Sequence, residues 1–186
     1  NPQEVMDLGA VAHLATLKCG VPFLHFFDGF RTSHEIQKIE VWDYDDLKSM
    51  VDMEDVKRFR AHALNPEHPT LRGSAENSDL FFQHREACNK YYNDAVEATV
   101  KYMDEVNAKI GTDYKPFNYY GAPDAKHIII AMGSVCDTIA ETIDYLNAKG
   151  EKVGMVKVHL YRPFSAKYLL DVIPSTVEKI SVLDRT

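Results

Sequence analysis

Basic charge is scarce in this chain of 186 residues: 21 Lys and Arg stand against 28 Asp and Glu, for a formal net charge of −7. No local block of Lys and Arg reverses the balance, which argues against a nucleic-acid-binding surface. Long apolar runs are also missing. None approaches the roughly 18–20 residues needed to cross a bilayer, and no signal-peptide pattern opens the sequence, so a cytoplasmic protein with no membrane partner is expected. Cysteine is sparse, since Cys19, Cys88 and Cys136 lie far apart and form no Cys-x-x-Cys pair. That spacing suggests neither a zinc nor an iron–sulfur site, and each thiol reads as a small buried or half-buried residue. The eight histidines contain no His-x-x-x-His pair, so no metal site is expected from them either. A dinucleotide fingerprint is excluded by missing glycines: Ala131-Met132-Gly133-Ser134 has one where the motif needs three.

What is present is ordinary globular composition, 45% hydrophobic and 26% charged, enough for one large or two small domains. Asn1-Pro2 opens a helical pattern over about residues 3–18, with Val5, Leu8, Ala12 and Ala15 on one face. Residues 21–27 read as a buried strand, and 38–42 as a short one. Helical patterns follow at 45–51 and 53–64, and Asn65-Pro66-Glu67-His68-Pro69 marks a linker. One long helix is expected over 78–110, stopped by Gly111, with Cys88, Tyr92, Val96, Thr99, Met103, Val106 and Ile110 as its stripe. At ~1.5 Å per residue it would run roughly 50 Å and brace two domains; a coiled-coil partner helix is the competing reading. Then come strand 126–132, helix 137–149, strand 152–160, a short helix through Val172 and strand 176–183. That alternation means an α/β fold with a parallel sheet covered on both faces. The first helix follows no strand and the last strand meets no closing helix, so both ends read as boundaries inside a longer protein.

The chemistry gathers where residues 21–27 run into Asp28-Gly29 and then Arg31-Thr32-Ser33-His34-Glu35. A strand end that hands over to a polar loop is where α/β proteins place binding groups, and Arg31, Thr32, Ser33 and His34 could line an anionic ligand. The structural alternative is a helix-capping loop, with Arg31 paired to Asp28 or Glu35. Ser33, His34 and Glu35 have the residue types of a hydrolase triad, but neighbours in sequence cannot align as nucleophile, base and orienter. Gly133-Ser134 could hold an anion on backbone N–H groups, or be a plain strand-to-helix turn. Arg162 is a minority ligand candidate, and Ser165 is expected to cap the next helix.

FLHFFDGFRTSHEIQKIE, followed by PEHPTLRG, closely resembles the pyruvate:ferredoxin (flavodoxin) oxidoreductase family. The stretch from Ile128 to Ser165, with the closing ISVLDRT, is similar to that family's second domain, which is like the C-terminal domain of transketolase. The resemblance covers essentially the whole chain and explains both ends. It implies a Rossmann-like, transketolase C-terminal-like domain preceded by a partial α/β unit and connecting helices. It also implies an enzyme that decarboxylates pyruvate on thiamine diphosphate with Mg2+, passes electrons through 4Fe-4S clusters to ferredoxin or flavodoxin, and forms acetyl-coenzyme A, usually as a homodimer.

The family's catalytic and cluster-binding residues have no counterparts here, so the segment itself is expected to be structural and inactive. Arg31, Thr32, Ser33 and His34 would at most line a neighbouring thiamine or coenzyme A site. Residues 1–45 would end the thiamine-pyrimidine-type domain, 46–120 would be connecting helices including 78–111, and 121–186 would begin the transketolase-like domain. The alternatives are an autonomous small-anion or nucleotide-binding module using Gly133-Ser134 and Arg162, and an interaction domain built on the Tyr-rich helix.

Overall fold

The computed structural model describes residues 1–34, 36–71, 73 and 75–184. Glu35, weighed above as a partner of Arg31, lies outside the described residues, as do Arg72 of the PEHPTLRG stretch and the closing Arg185 and Thr186. The helical part comprises α1 (Pro2–Cys19), the single turn α2 (Arg31–His34), α3 (Tyr44–Met50), α4 (Met53–Ala61), α5 (Ser78–Ala87) and α6 (Asn89–Ile110). The start of α1 follows from its sequence. The Glu4 N–H donates to Asn1 Oδ1 at 3.1 Å, the Asn1 amino group donates back to Glu4 at 3.0 Å, and Pro2 supplies a pre-set φ. Gly20 ends the helix at φ 71°, its N–H reaching the Thr16 carbonyl at 2.9 Å.

The buried face of α1 is Asp7, Val11, Leu14 and Ala15, rotated from the expected stripe. The reason is that α1 is apolar on two sides. One side lies along α6, and the other forms the wall of a groove that Val5 lines. Val11, Leu14 and Ala15 share a core with Met50, Tyr102, Met103, Val106 and Tyr114. Asp43 and Asp52 start α3 and α4 by accepting from the N–H of Asp45 at 2.7 Å and of Glu54 at 3.0 Å.

The long helix expected over 78–110 is two helices. At Cys88 the bonding tightens: its N–H reaches the Arg85 carbonyl at 3.2 Å, and the Tyr91 N–H reaches the Cys88 carbonyl at 3.0 Å. Those three-residue spacings interrupt the α ladder without glycine or proline, so the apolar period runs straight through the break. The 22 residues of α6 span about 33 Å.

The rest is β1 (Phe117–Gly121), β2 (His127–Ala131), α7 (Val135–Asn147), β3 (Val153–Val158), α8 (Ala166–Val172) and β4 (Lys179–Val182). The sheet order is β1-β3-β2-β4, with β2 parallel to both β3 and β4 and β1 antiparallel to β3. Fold class is therefore α/β with a mostly parallel sheet, as expected. Antiparallel β1 was not anticipated, because the polar Asn118 and the two tyrosines leave its five residues no apolar run. One face packs Ala131 and Met155 under Cys136, Ile139 and Ile143 of α7. The other packs Phe117, Ile128 and Val156 under Tyr168, Leu169 and Val172 of α8. Cover on both faces stops short of β4, whose four residues are all exposed.

Two expected strands do not form. Residues 21–27 and 38–42 carry no ladder, and Leu24, Phe26 and Phe27 are exposed. A strand needs a neighbour to satisfy its N–H and C=O groups, and no described strand pairs with either segment.

Candidate functional site

The loop after residue 27 lands on the sheet rather than in solvent. Asp28 reaches the turn between β2 and α7, where the Ser134 N–H donates to its Oδ2 at 2.6 Å. Gly133, at φ +81°, makes that approach possible. A Cβ there would lie 3.0 Å and 3.3 Å from the two carboxylate oxygens. The anion position anticipated at Gly133-Ser134 is thus filled by the chain's own carboxylate, at the positive end of α7.

Beyond Asp28 the backbone turns sharply. Phe30 has φ +52°, an uncommon state for a non-glycine residue, and its carbonyl accepts from the His34 N–H at 2.9 Å. The Phe30 and His34 rings stack with centroids 5.5 Å apart. Ser33 Oγ and His34 Nδ1 are hydrogen bonded at 2.6 Å. Of the four expected residues, the structure brings Thr32 and Ser33 to one site, the wall of a groove of about 690 Å³ between α1 and residues 27–51. Trp42, Phe27 and Leu14 make most of that groove apolar, and His13 adds an imidazole. Arg31 and His34 are not among its lining residues, and Arg31 is engaged by another group.

The remaining candidates are held elsewhere. Arg162 sits over the Tyr161 ring at 5.2 Å. Ser165 occupies the N-cap position of α8 with extended backbone angles but makes no side-chain cap bond, a correction to the capping role expected of it; only its backbone carbonyl serves, accepting from the Leu169 N–H at 3.2 Å.

Polar clusters that the sequence reading missed tie the helices to the sheet. Asp7, 2% exposed, accepts from Tyr114 Oη at 2.8 Å and from Gln3 Nε2 at 2.9 Å. Burial and the Asp7 carboxylate push the Tyr114 phenol far above its ordinary range. Glu4 accepts from Lys157 Nζ at 2.9 Å and faces His159 Nε2 at 3.8 Å. Burial pushes the Glu4 carboxyl up, but His159, Lys157 and the Asn1 amino group outweigh it and hold it well below the usual carboxylate range. Asp7 carried a legible signal, a carboxylate four residues before Val11 on an apolar stripe. Glu4 and Lys157 did not, because 153 residues separate them.

Ser33 and His34 are exposed neighbours on one turn. Burial pushes the Cys136 thiol up to about 11, against the pull of Lys157, which leaves it un-ionised at neutral pH. Among the described residues no three His, Cys, Asp or Glu side chains gather as a metal site, and the three thiols are separate and free. Three separate thiols are fewer than the four that a 4Fe-4S cluster takes. No helix among the described residues is long and apolar enough to cross a membrane.

Residues 1–104 match the family model described as pyruvate flavodoxin/ferredoxin oxidoreductase, thiamine diphosphate-binding, and residues 125–186 match pyruvate:ferredoxin oxidoreductase core domain II. A pyruvate-flavodoxin oxidoreductase from Enterobacter agglomerans is 60% identical over 184 residues, covering 99% of this chain and 16% of the relative. A pyruvate:ferredoxin oxidoreductase from Moorella thermoacetica is 56% identical, again over 99% of this chain and 16% of its own length. A pyruvate dehydrogenase (NADP+) from Cryptosporidium parvum is 52% identical, with 98% and 10% covered. A solved 2-oxoglutarate:ferredoxin oxidoreductase from Magnetococcus marinus is 23% identical over 58% of this chain and 17% of that one, at a TM-score of 0.36. The chain spans 16% or less of the length of these curated relatives.

Proposed function

The chain belongs to the pyruvate flavodoxin/ferredoxin oxidoreductase family, and we propose that it is a non-catalytic segment of a much longer pyruvate oxidoreductase. That enzyme decarboxylates pyruvate on thiamine diphosphate, forms acetyl-coenzyme A and reduces ferredoxin or flavodoxin through 4Fe-4S clusters. In this reading residues 1–45 close the thiamine-type domain, 46–120 connect, and 121–186 begin the second domain of a cytoplasmic homodimer. The observation that carries it is 60% identity across 99% of the chain with a relative of which the chain is only 16%.

The segment's task is to hold the sheet unit against the helical unit and to present the 28–34 loop between them. Thr32 and Ser33, on the groove wall, and Arg31 and His34, outside it, stand as supporting groups for a neighbouring cofactor site. The electron acceptor is chosen elsewhere in the enzyme. Relatives named for flavodoxin, ferredoxin and NADP+ share this segment at 52–60% identity.

The test compares the 186-residue chain with the full-length enzyme, both purified anaerobically. The full-length enzyme should bind thiamine diphosphate with Mg2+, hold iron and reduce ferredoxin when given pyruvate and coenzyme A. The isolated segment should do none of these. Stoichiometric iron or thiamine binding in the segment would overturn the reading, as would a full-length chain inert toward pyruvate.

A further inference from the structure

An acidic side chain seated where a helix would greet a ligand anion has a consequence for the loop that carries it. Asp28 and Ser134 are 106 residues apart, and one lies in the region of each family model. α7 has 13 residues, so its first free N–H groups form a developed positive end. The turn is shaped around the carboxylate, because Gly133 has φ +81° and a Cβ there would stand tight against Asp28, 3.0 Å from Oδ2. The loop beyond is short, with only Gly29 and Phe30 between Asp28 and α2, and Phe30 is held at φ +52°. Fixing Asp28 therefore fixes where Thr32 and Ser33 meet the groove.

We propose that Asp28 is an intramolecular latch: its carboxylate takes the anion position of the β2–α7 turn and so positions the 29–34 loop from the sheet unit. Two consequences follow from that geometry. The turn is a structural receptor rather than a ligand site, and the conformation of residues 29–34 depends on residue 134 although the two are remote in sequence. A hydrogen bond from a backbone N–H to a charged acceptor shifts such a closing equilibrium by about tenfold or more. The inference does not depend on which cofactor the enzyme binds.

The test is rapid hydrogen exchange on the full-length chain, followed in peptides covering 29–34 and 132–138, with the 153–158 peptide as control. Asp28→Ala removes the acceptor. Ser134→Pro removes the donor at a φ of −64° that proline tolerates. Asp28 has further interactions of its own, so the proline variant isolates this bond. Each single variant should raise exchange by about tenfold in both peptides and leave the control unchanged. The double variant should go no further than either single one. Additive effects would overturn the latch, and so would a variant whose effect stays in its own peptide. Should Ser134→Pro disturb the control peptide, Gly133→Ala takes its place, since the added methyl crowds Asp28 Oδ2 at 3.0 Å and strains the turn at φ +81°; an unchanged 29–34 peptide in that variant would also overturn the proposal.

Discussion

A buried carboxylate has to be matched by donors, and Asp7 shows how few suffice. Tyr114 and Gln3 supply one hydrogen bond to each of its oxygens, and the phenol ties α1 to the segment leading into β1. Tyr114→Phe keeps the ring's packing and removes the donor, leaving one Asp7 oxygen short of a partner. The variant should lose about 1–3 kcal/mol in urea unfolding, and Asp7→Asn in the same background should recover part of it by removing the buried charge. Glu4 makes a pH-dependent contribution. Its folded pKa lies below its unfolded one, so its stabilisation is complete above the ordinary carboxylate range and is lost as pH falls through and below that range. The stability gap between wild type and Glu4→Gln, measured from urea midpoints, should therefore be full at about pH 6 and shrink steadily towards about pH 3. A gap that widened on acidification would contradict the ion-pair assignment. Of these residues Asp7 carried a signal in the sequence, and the Gly133-Ser134 turn reads there as a possible anion holder. Glu4, Lys157 and Asp28 acquire their roles from tertiary contacts that no local pattern encodes.

At the scale of elements, legibility followed whether the partner of each segment lies within the described chain. β2, α7 and β3 were readable because their apolar residues are buried in the two cores that flank the sheet, Val156, Met155 and Cys136 most completely. Residues 21–27 have an equally apolar pattern, yet with no adjoining strand among the described residues they form none. The Cys88 break was invisible for the opposite reason, since hydrogen-bond spacing changed while side-chain periodicity did not. Contacts between elements also explain two sensitive positions. Arg58 of α4 donates to the carbonyls of Leu17 at 3.1 Å and Lys18 at 2.7 Å, closing the end of α1, and pairs with Asp55 at 2.7 Å. Arg58→Ala opens that end and leaves Asp55, whose side chain is 3% exposed, with Lys18 at 3.3 Å. It should cost about 1–3 kcal/mol, read as a lower urea midpoint. On β3, a methyl at Gly154 would overlap the Tyr119 hydroxyl and come within 2.7 Å of its Cζ. Gly154→Ala should destabilise by about 1–3 kcal/mol, and adding Tyr119→Phe should cost less than the separate losses summed, because it removes the overlapping atom.

Across the whole molecule many large apolar residues lack cover, and two stretches show it clearly. Leu24 and Phe30 are 85% and 82% exposed, Ile36, Val41 and Tyr44 are exposed nearby in sequence, and α5 adds Leu80, Phe81 and Phe82. Stable soluble monomers seldom leave so much large apolar surface in water. The chain is 16% of the length of two of its relatives, and in the proposed reading the remainder of the longer enzyme covers these residues. That assignment separates two situations by experiment. In the isolated chain Phe30→Ser removes a ring already in water, so its melting temperature should hardly move, while binding of a hydrophobic dye and concentration-dependent association should fall. In the full-length enzyme the same ring would be packed against other parts of the protein, and Phe30→Ser should lower the melting temperature through a loss of about 2–4 kcal/mol of burial and packing. Equal melting temperatures for wild type and variant in the full-length enzyme would mean that the ring is exposed there as well. The uncovered face would then belong to this segment's own surface, and its apolar character would need a partner outside the enzyme.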